Sequence, residues 1–351
     1  MRRKMKIRRS DYEVKKAGRK WLRILAAGFF GTVMASANLT VSAVAAWNLP
    51  DSGIRMENEA KQAYVAEKMG KLFRLNSAST STTQSFAAPD GWRYESYRLG
   101  KLNVERMENP AATSRRVVLQ LHGGGYINKL SNGHRDLCVK QMVLTDAREA
   151  YLVDYRTAPE YTYPAALEDA VSAYEDMLAK GVNPKEIIVF GDSAGGNLAL
   201  ALSVYLREHN RPQPGALVLI SPWTTFEANL PSRKNNVNRD LILGKINPRM
   251  YNEVKNPSYG KGFSVKDSRL SPIYADLRGL PPMLIQAGGY ELFLDESIAL
   301  AKKAADDGTD VTLSVYPGMS HDFAMLLPEL EDSVDSFKEI RDFVNRHLKR
   351  D

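Results

Sequence analysis

A serine becomes a useful nucleophile only where the backbone projects its hydroxyl and a base stands within reach. Gly191-Asp192-Ser193-Ala194-Gly195 answers the first need. This G-x-S-x-G directly follows the apolar run IIVF at 187–190 and leads straight into the helical stretch NLALALSVYL. Glycines on either side of Ser193 relieve the crowding of a tight strand-to-helix turn. The helix that starts there offers unpaired backbone N–H groups and a positive dipole end to developing negative charge. A glycine-rich turn with a serine cap is the plainer reading; the strand before and the helix after favour a nucleophile elbow. A second run, His122-Gly123-Gly124-Gly125, directly follows VVLQL at 117–121. Three glycines let backbone amides approach a substrate oxygen, which an oxyanion hole requires. The alternative is a flexible turn. His122, beside the strand end, is read as holding that loop rather than moving protons.

The base must come from five histidines: His122, His134, His209, His321 and His347. His134 and His209 fall in or beside helices of the outer layers, and His347 lies four residues from the end. Only His321 sits in a loop just past a strand, in YPGMSHDF at 316–323. An acid must fix its tautomer, and in this chain order the acid lies between serine and histidine. Past the apolar run MLIQ at 283–286 the candidates are Glu291 and Asp295. Glu291 is nearer the strand end, whereas Asp295 opens a helical stretch and suits a cap or first-turn position. The constellation points to acyl transfer through a covalent intermediate.

Such residues need a frame that brings strand ends together. Short apolar runs at 117–121, 151–154, 187–190, 217–220, 283–286 and 312–316 read as strands buried on both faces. Helical stretches at 134–147, 164–180, 195–208, 295–307 and 328–348 separate or follow them. The alternation predicts an α/β fold with a mainly parallel central sheet flanked by helices. Residues 92–99 and 102–107 alternate around Gly100-Lys101 as an antiparallel hairpin. Residues 223–280 lack a core strand and read as an insertion over the sheet's carboxyl edge, where open α/β sheets bind ligands. Residues 51–75 have helical periodicity, and Asn76 to Ser85 form a Ser/Thr-rich loop.

Composition narrows the function classes. Of 351 residues, 44% are hydrophobic and 25% charged, which excludes a disordered chain and a polytopic membrane protein. One cysteine, Cys138, excludes a disulfide framework and a cysteine-based zinc site. The net charge of +7 is localised: residues 1–23 hold 11 Lys/Arg against two acids, and the remainder is net −2. Nucleic acid is therefore not a partner of the body. An uncharged stretch follows at 24–49, with Ala43-Val44-Ala45 near its end. Residues 1–49 read as a cleaved secretory signal, with an uncleaved membrane anchor and a cytosolic helix as rivals. The reading favours a catalytic body outside the cytoplasm, with residues 24–49 as the segment for membrane association.

Together these residues resemble the hormone-sensitive-lipase-like family of α/β-hydrolases, marked by HGGG and GDSAGG. The likeness runs over about 115–345 and includes DYRTAPE at 154–160, YPAALED at 163–169, Ser221-Pro222-Trp223 and LSPIYAD at 270–276. The resemblance implies an α/β-hydrolase domain over 50–351, with lid elements from about 51–75 and 223–265. It implies Ser193 as nucleophile, His321 as base, and Gly124, Gly125 and Ala194 as oxyanion donors, with Gly123 and Asp192 as motif support. Many members carry Asp in the acid block; Glu291 stands there, as in the lactone hydrolase and acetyl esterase branch. The implied activity is a serine carboxylesterase on small to medium acyl esters or lactones, without metal or organic cofactor. Trp223, Phe226, Leu72 and Phe73 are candidates to line an acyl pocket, with plain lid packing as the equal alternative. An amidase or deacetylase using the same groups, and a non-catalytic ligand receptor on this fold, are the rival functions.

Overall fold

The computed structural model of the chain describes residues 6–8, 49–78 and 86–349. Its elements run β1 (Lys6–Arg8), α1 (Asn58–Ala78), β2 (Arg93–Leu99), β3 (Leu102–Glu108), β4 (Val117–Leu121), α2 (Asn132–Thr145), β5 (Glu149–Asp154) and α3 (Ala165–Ala179). There follow β6 (Ile187–Asp192), α4 (Ala194–Glu208), β7 (Ala216–Ile220), α5 (Pro231–Asn235), α6 (Pro248–Lys255), β8 (Met283–Gly288), α7 (Leu294–Asp306), β9 (Val311–Tyr316), α8 (Phe323–Leu326) and α9 (Glu331–His347).

Among the described residues, all nine strands join one sheet in the order β1-β9-β8-β7-β6-β4-β5-β3-β2. Strands β4 to β9 pair in parallel, and only the β2–β3 hairpin and the β3–β5 pair are antiparallel. The expected α/β architecture is thus the observed one. The apolar runs are continuous because each strand feeds two cores. Val117, Leu119, Ile187, Val189, Leu217 and Leu219 face one side with residues of α3, α4 and α7. Val118, Ile188, Phe190, Val218 and Leu284 face the other, against α2 and α9. Successive side chains on a strand point to opposite faces, so no polar alternation remains.

Parallel strands put all their carboxyl ends on one edge, and the segment between β7 and β8 covers it. Asn236 Nδ2 donates to the Glu291 carbonyl at 2.8 Å, Arg249 Nη2 to Asn128 Oδ1 at 3.0 Å, and the Tyr163 N–H to the Tyr259 carbonyl at 2.9 Å. Helix α1 reaches the same edge: Lys61 Nζ donates to the Pro317 carbonyl at 3.2 Å and Gln62 to the Tyr290 hydroxyl at 2.8 Å.

Three local readings shift. Helix α2 starts earlier than its apolar periodicity, at Asn132, because the Ser131 hydroxyl caps it by accepting the His134 N–H. Helix α1 begins only at Asn58, because Ile54 is drawn into a β-bridge with Leu330, and it continues through Ala78 into the expected loop, whose remainder at 79–85 lies outside the described residues. Lys6–Arg8 pairs in parallel with Thr312–Ser314 at the sheet edge, a strand that the charge-dominated leader did not reveal. The signal or anchor reading of 24–48 lies outside the described residues; among those described, no helix is long and apolar enough to cross a membrane.

Candidate active site

Strand β6 ends at Asp192, and the chain reverses at Ser193 with φ 53° and ψ −119° before α4 begins at Ala194. This is a positive-φ conformation, outside the left-handed helical region, that a serine adopts only under constraint. The constraint is visible. The Ser193 N–H donates to the Ile220 carbonyl, and the Ser193 carbonyl accepts from Trp223 N–H at 3.0 Å and Asn197 N–H at 3.2 Å. A Cβ on Gly195 would lie 2.0 Å from the Leu121 carbonyl oxygen, so only glycine lets α4 start this close to β4.

The glycine loop after β4 is clamped to the same turn. Asp192 Oδ2 accepts the Gly123 N–H at 3.0 Å and stands 3.4 Å from His134 Nε2. A Cβ on Gly123 would lie 2.1 Å from that oxygen. The chain then turns with φ 110° at Gly124 and 65° at Gly125. Among the described residues, none accepts from the backbone N–H of Gly124, Gly125 or Ala194. Three free donors beside a serine can receive an oxyanion. His122 contacts its own loop, Tyr155 and, from helix α2, His134 at 5.4 Å between ring centres. Its Nδ1 lies 2.7 Å from the Gly123 carbonyl, its ring stacks on Tyr155 at 4.1 Å, and its carbonyl accepts the Tyr155 hydroxyl. Burial, then the nearby His134, press its pKa down to about 3, so its ring stays neutral.

The loops after β8 and β9 bring Glu291 and His321 together. Both are buried, with Glu291 Oε2 3.5 Å from His321 Nδ1. Glu291 Oε1 accepts the Ser221 hydroxyl at 2.6 Å and also the Gly288 N–H. Burial raises the Glu291 carboxyl to about 7, although His321, Ser221 and Gly288 pull it down. For His321 burial acts to lower the pKa, but the carboxylates of Asp322 and Glu291 hold it well above the ordinary value. Asp295 goes elsewhere: from the first turn of α7 its Oδ2 accepts the Ser232 N–H at 2.6 Å.

Three contributors escaped the sequence reading. Ser221, at φ 47°, donates to Glu291 and accepts the Asp322 N–H at 3.1 Å, so one hydroxyl joins the loops after β7, β8 and β9. Asp322 Oδ2 lies 3.2 Å from His321 Nε2, placing a second carboxylate on the imidazole. His134, expected on an outer layer, is buried: its Nε2 faces Asp192 and its Nδ1 lies 2.7 Å from Ser131 Oγ. Burial works against its charge, but Asp192 and Asp322 raise its pKa; the same contact keeps Asp192 ionised despite burial. The signals available beforehand were the place of Ser221 in the Ser221-Pro222-Trp223 block, the adjacency of Asp322 to His321 and the shortage of histidines.

Trp223 and Phe226 are fully buried in an aromatic ladder. Phe226 stacks on Trp223 at 4.4 Å, Trp223 on Phe293 at 5.6 Å, and Phe293 meets the His321 ring edge-on at 5.1 Å. Both therefore pack behind the base, the alternative that the sequence left open beside an acyl-pocket role. The side chains of Leu72 and Phe73 lie outside the described residues. A cavity of about 460 Å³ opens between α3 and α4, lined by Leu167, Val204 and Arg269 among others, but by none of Ser193, Glu291 or His321. Among the described residues, no group of three His, Cys, Asp or Glu side chains is arranged to hold a metal ion.

Residues 118–325 match a family model described as alpha/beta hydrolase fold. The chain is 38% identical over 214 residues to an acetyl-hydrolase of Streptomyces hygroscopicus, covering 60% of this chain and 69% of that one. It is 32% identical over 252 residues to an esterase of Acinetobacter venetianus, covering 70% and 80%. Among solved structures, it is similar to an esterase from the bacterial hormone-sensitive lipase (HSL) family. That match has a TM-score of 0.72 and 31% identity, with 84% of this chain and all of the other covered.

Proposed function

This chain belongs to the α/β-hydrolase family, in its hormone-sensitive-lipase branch, and from that premise we propose how its residues carry out ester hydrolysis. It is a carboxylic ester hydrolase. Ser193 attacks the ester carbonyl while His321 takes its proton, and the oxyanion settles on the N–H groups of Gly124, Gly125 and Ala194. His321 then protonates the departing alcohol, leaving an acyl-Ser193. Water, deprotonated by His321, attacks this acyl group; the tetrahedral intermediate collapses, and Ser193 recovers its proton as the acid leaves. Glu291 orients the imidazole through Nδ1 and stabilises its charged form. The observation that carries this assignment is the 3.5 Å approach of Glu291 to His321, two residues from different loops, at the edge that bears the elbow.

The substrates are small to medium acyl esters, in keeping with the acetyl-hydrolase named among the relatives. Turnover of p-nitrophenyl esters across a chain-length series tests this, beside Ser193→Ala, Glu291→Gln and Asp295→Asn. Ser193→Ala should abolish turnover and Glu291→Gln should depress it strongly, whereas Asp295→Asn should retain it. Loss confined to Asp295→Asn would reassign the acid. Residues 1–49 act as an export or anchoring segment in this proposal. N-terminal sequencing of the mature protein decides between retention and cleavage of that segment.

A further inference from the structure

Charge on this molecule is divided by layer. Residues 231–270, which cover the carboxyl edge, hold nine Lys/Arg against three acids. The rest of the body beyond residue 23 holds 28 Lys/Arg against 36 acids, a net of −8. Exposure sharpens the contrast. Eight of the nine lid cations are exposed: Lys234, Arg239, Lys245, Arg249, Lys255, Lys261, Lys266 and Arg269. None of the three acids is: Asp240 is buried, and Glu253 and Asp267 are half-buried. Asp267 is engaged with Arg269, and Glu227 from outside the segment with Lys266, so the cationic excess rests on the others.

The same segment carries three of the six large hydrophobic side chains exposed among the described residues: Ile246 (59%), Phe263 (38%) and Val265 (41%). Exposed Ile, Phe and Val cost solvation on a free surface, and here they stand among well-hydrated lysines. They match a boundary with anionic headgroups outside and acyl chains beneath. We propose that the outer face of this lid docks on an anionic lipid surface, bringing the catalytic edge to esters held there. The contact is separate from residues 1–49. It deepens the esterase reading by naming where the substrate is met, but the docking step needs no chemistry.

The test places an environment-sensitive dye on the full chain at Ile246→Cys, with Ile298→Cys on α7 as the exposed control outside the lid segment; native Cys138 is buried and should escape labelling. Phosphatidylglycerol vesicles should shift and intensify the emission at 246 but not at 298, and high salt should reverse the effect. Each cation near such a surface strengthens binding by about fivefold. Lys245→Glu/Lys255→Glu/Lys261→Glu should therefore weaken the response by at least about a hundredfold. The same triple variant should hydrolyse a soluble p-nitrophenyl ester at the parent rate, which shows that it folds. Ser193→Ala should respond to vesicles as the parent does while hydrolysing nothing, so failure of docking and failure of the esterase reading are distinguishable. Docking is overturned by a silent 246 probe, by an undiminished response in the triple variant, or by an equal response to phosphatidylcholine in high salt. It is also overturned if the probe responds without vesicles as protein concentration rises, because a second copy then covers the face.

Discussion

Replacing Ser221 by glycine isolates one hydroxyl that holds the acid in place. Ser221 sits at φ 47°, where a residue with a Cβ is strained by about 1–3 kcal/mol. Alanine would keep that strain. Glycine releases it, while its extra freedom in the unfolded chain costs roughly 0.5–1 kcal/mol, so the backbone effects largely offset each other. What remains is the loss of the 2.6 Å bond to Glu291 Oε1, which acts on the acid, and of the 3.1 Å bond from the Asp322 N–H, which acts on the loop after β9. A hydrogen bond to a charged group contributes about 1.5–3 kcal/mol, and the lower end applies because the Gly288 N–H still serves the same oxygen. With about 1.4 kcal/mol for each tenfold change, kcat should fall by about tenfold while KM stays within about twofold. The pH profile should move as well. A less stabilised carboxylate makes the Glu291–His321 pair hold its first proton more tightly. The acid limb of kcat/KM should therefore rise, by up to about one pH unit. Rates on a p-nitrophenyl ester from about pH 5 to 9, with thermal melts as a folding control, measure both effects. A normally melting variant with an unmoved acid limb and parental kcat would refute the reasoning and leave Ser221 a spacer.

Asp322→Asn should move the same limb the other way. Removing a carboxylate 3.2 Å from His321 Nε2 makes the imidazole easier to deprotonate, and an opposite charge this close commonly shifts a pKa by about 1–3 units. A limb that stays put or rises rejects the assignment. His134→Gln should reduce kcat by loosening the Asp192 clamp on the Gly123 N–H, and it should also change stability in a pH-dependent way. Burial opposes the His134 charge, but Asp192 and Asp322 raise its folded pKa above 6.5. Its contribution is therefore fully present below about pH 6.5 and is lost as pH rises through the raised value. Melting temperatures of parent and variant should differ most at mildly acidic pH and converge above it; a gap that widens with pH contradicts the pairing.

The difference between what could and could not be read beforehand follows the range of the interactions. A strand, a tight turn and a helix are decided by residues within a few positions of one another. Thus 117–121 stands unchanged as β4, and the elbow lies between β6 and α4 as its glycines require. The same holds for the parallel frame, because short apolar runs divided by helices leave few other ways to bury both sheet faces. The edge pairing of Lys6–Arg8 could not be read, because three residues amid eleven cations carry no periodicity.

Amino-acid order by itself determined which residue types stand where strands end: Ser193 after β6, the glycine run after β4, a carboxylate and a histidine after β8 and β9. Only the tertiary structure decided how they are held. It sent Glu291 to the imidazole and Asp295 to the lid, drew His134 inward against Asp192, and made Ser221 the common tether of residues 70 and 101 positions away. Those choices depend on loops packing against one another beneath a lid. Hydrogen bonds and buried charges between such distant positions leave no local pattern for the chain to display before it folds.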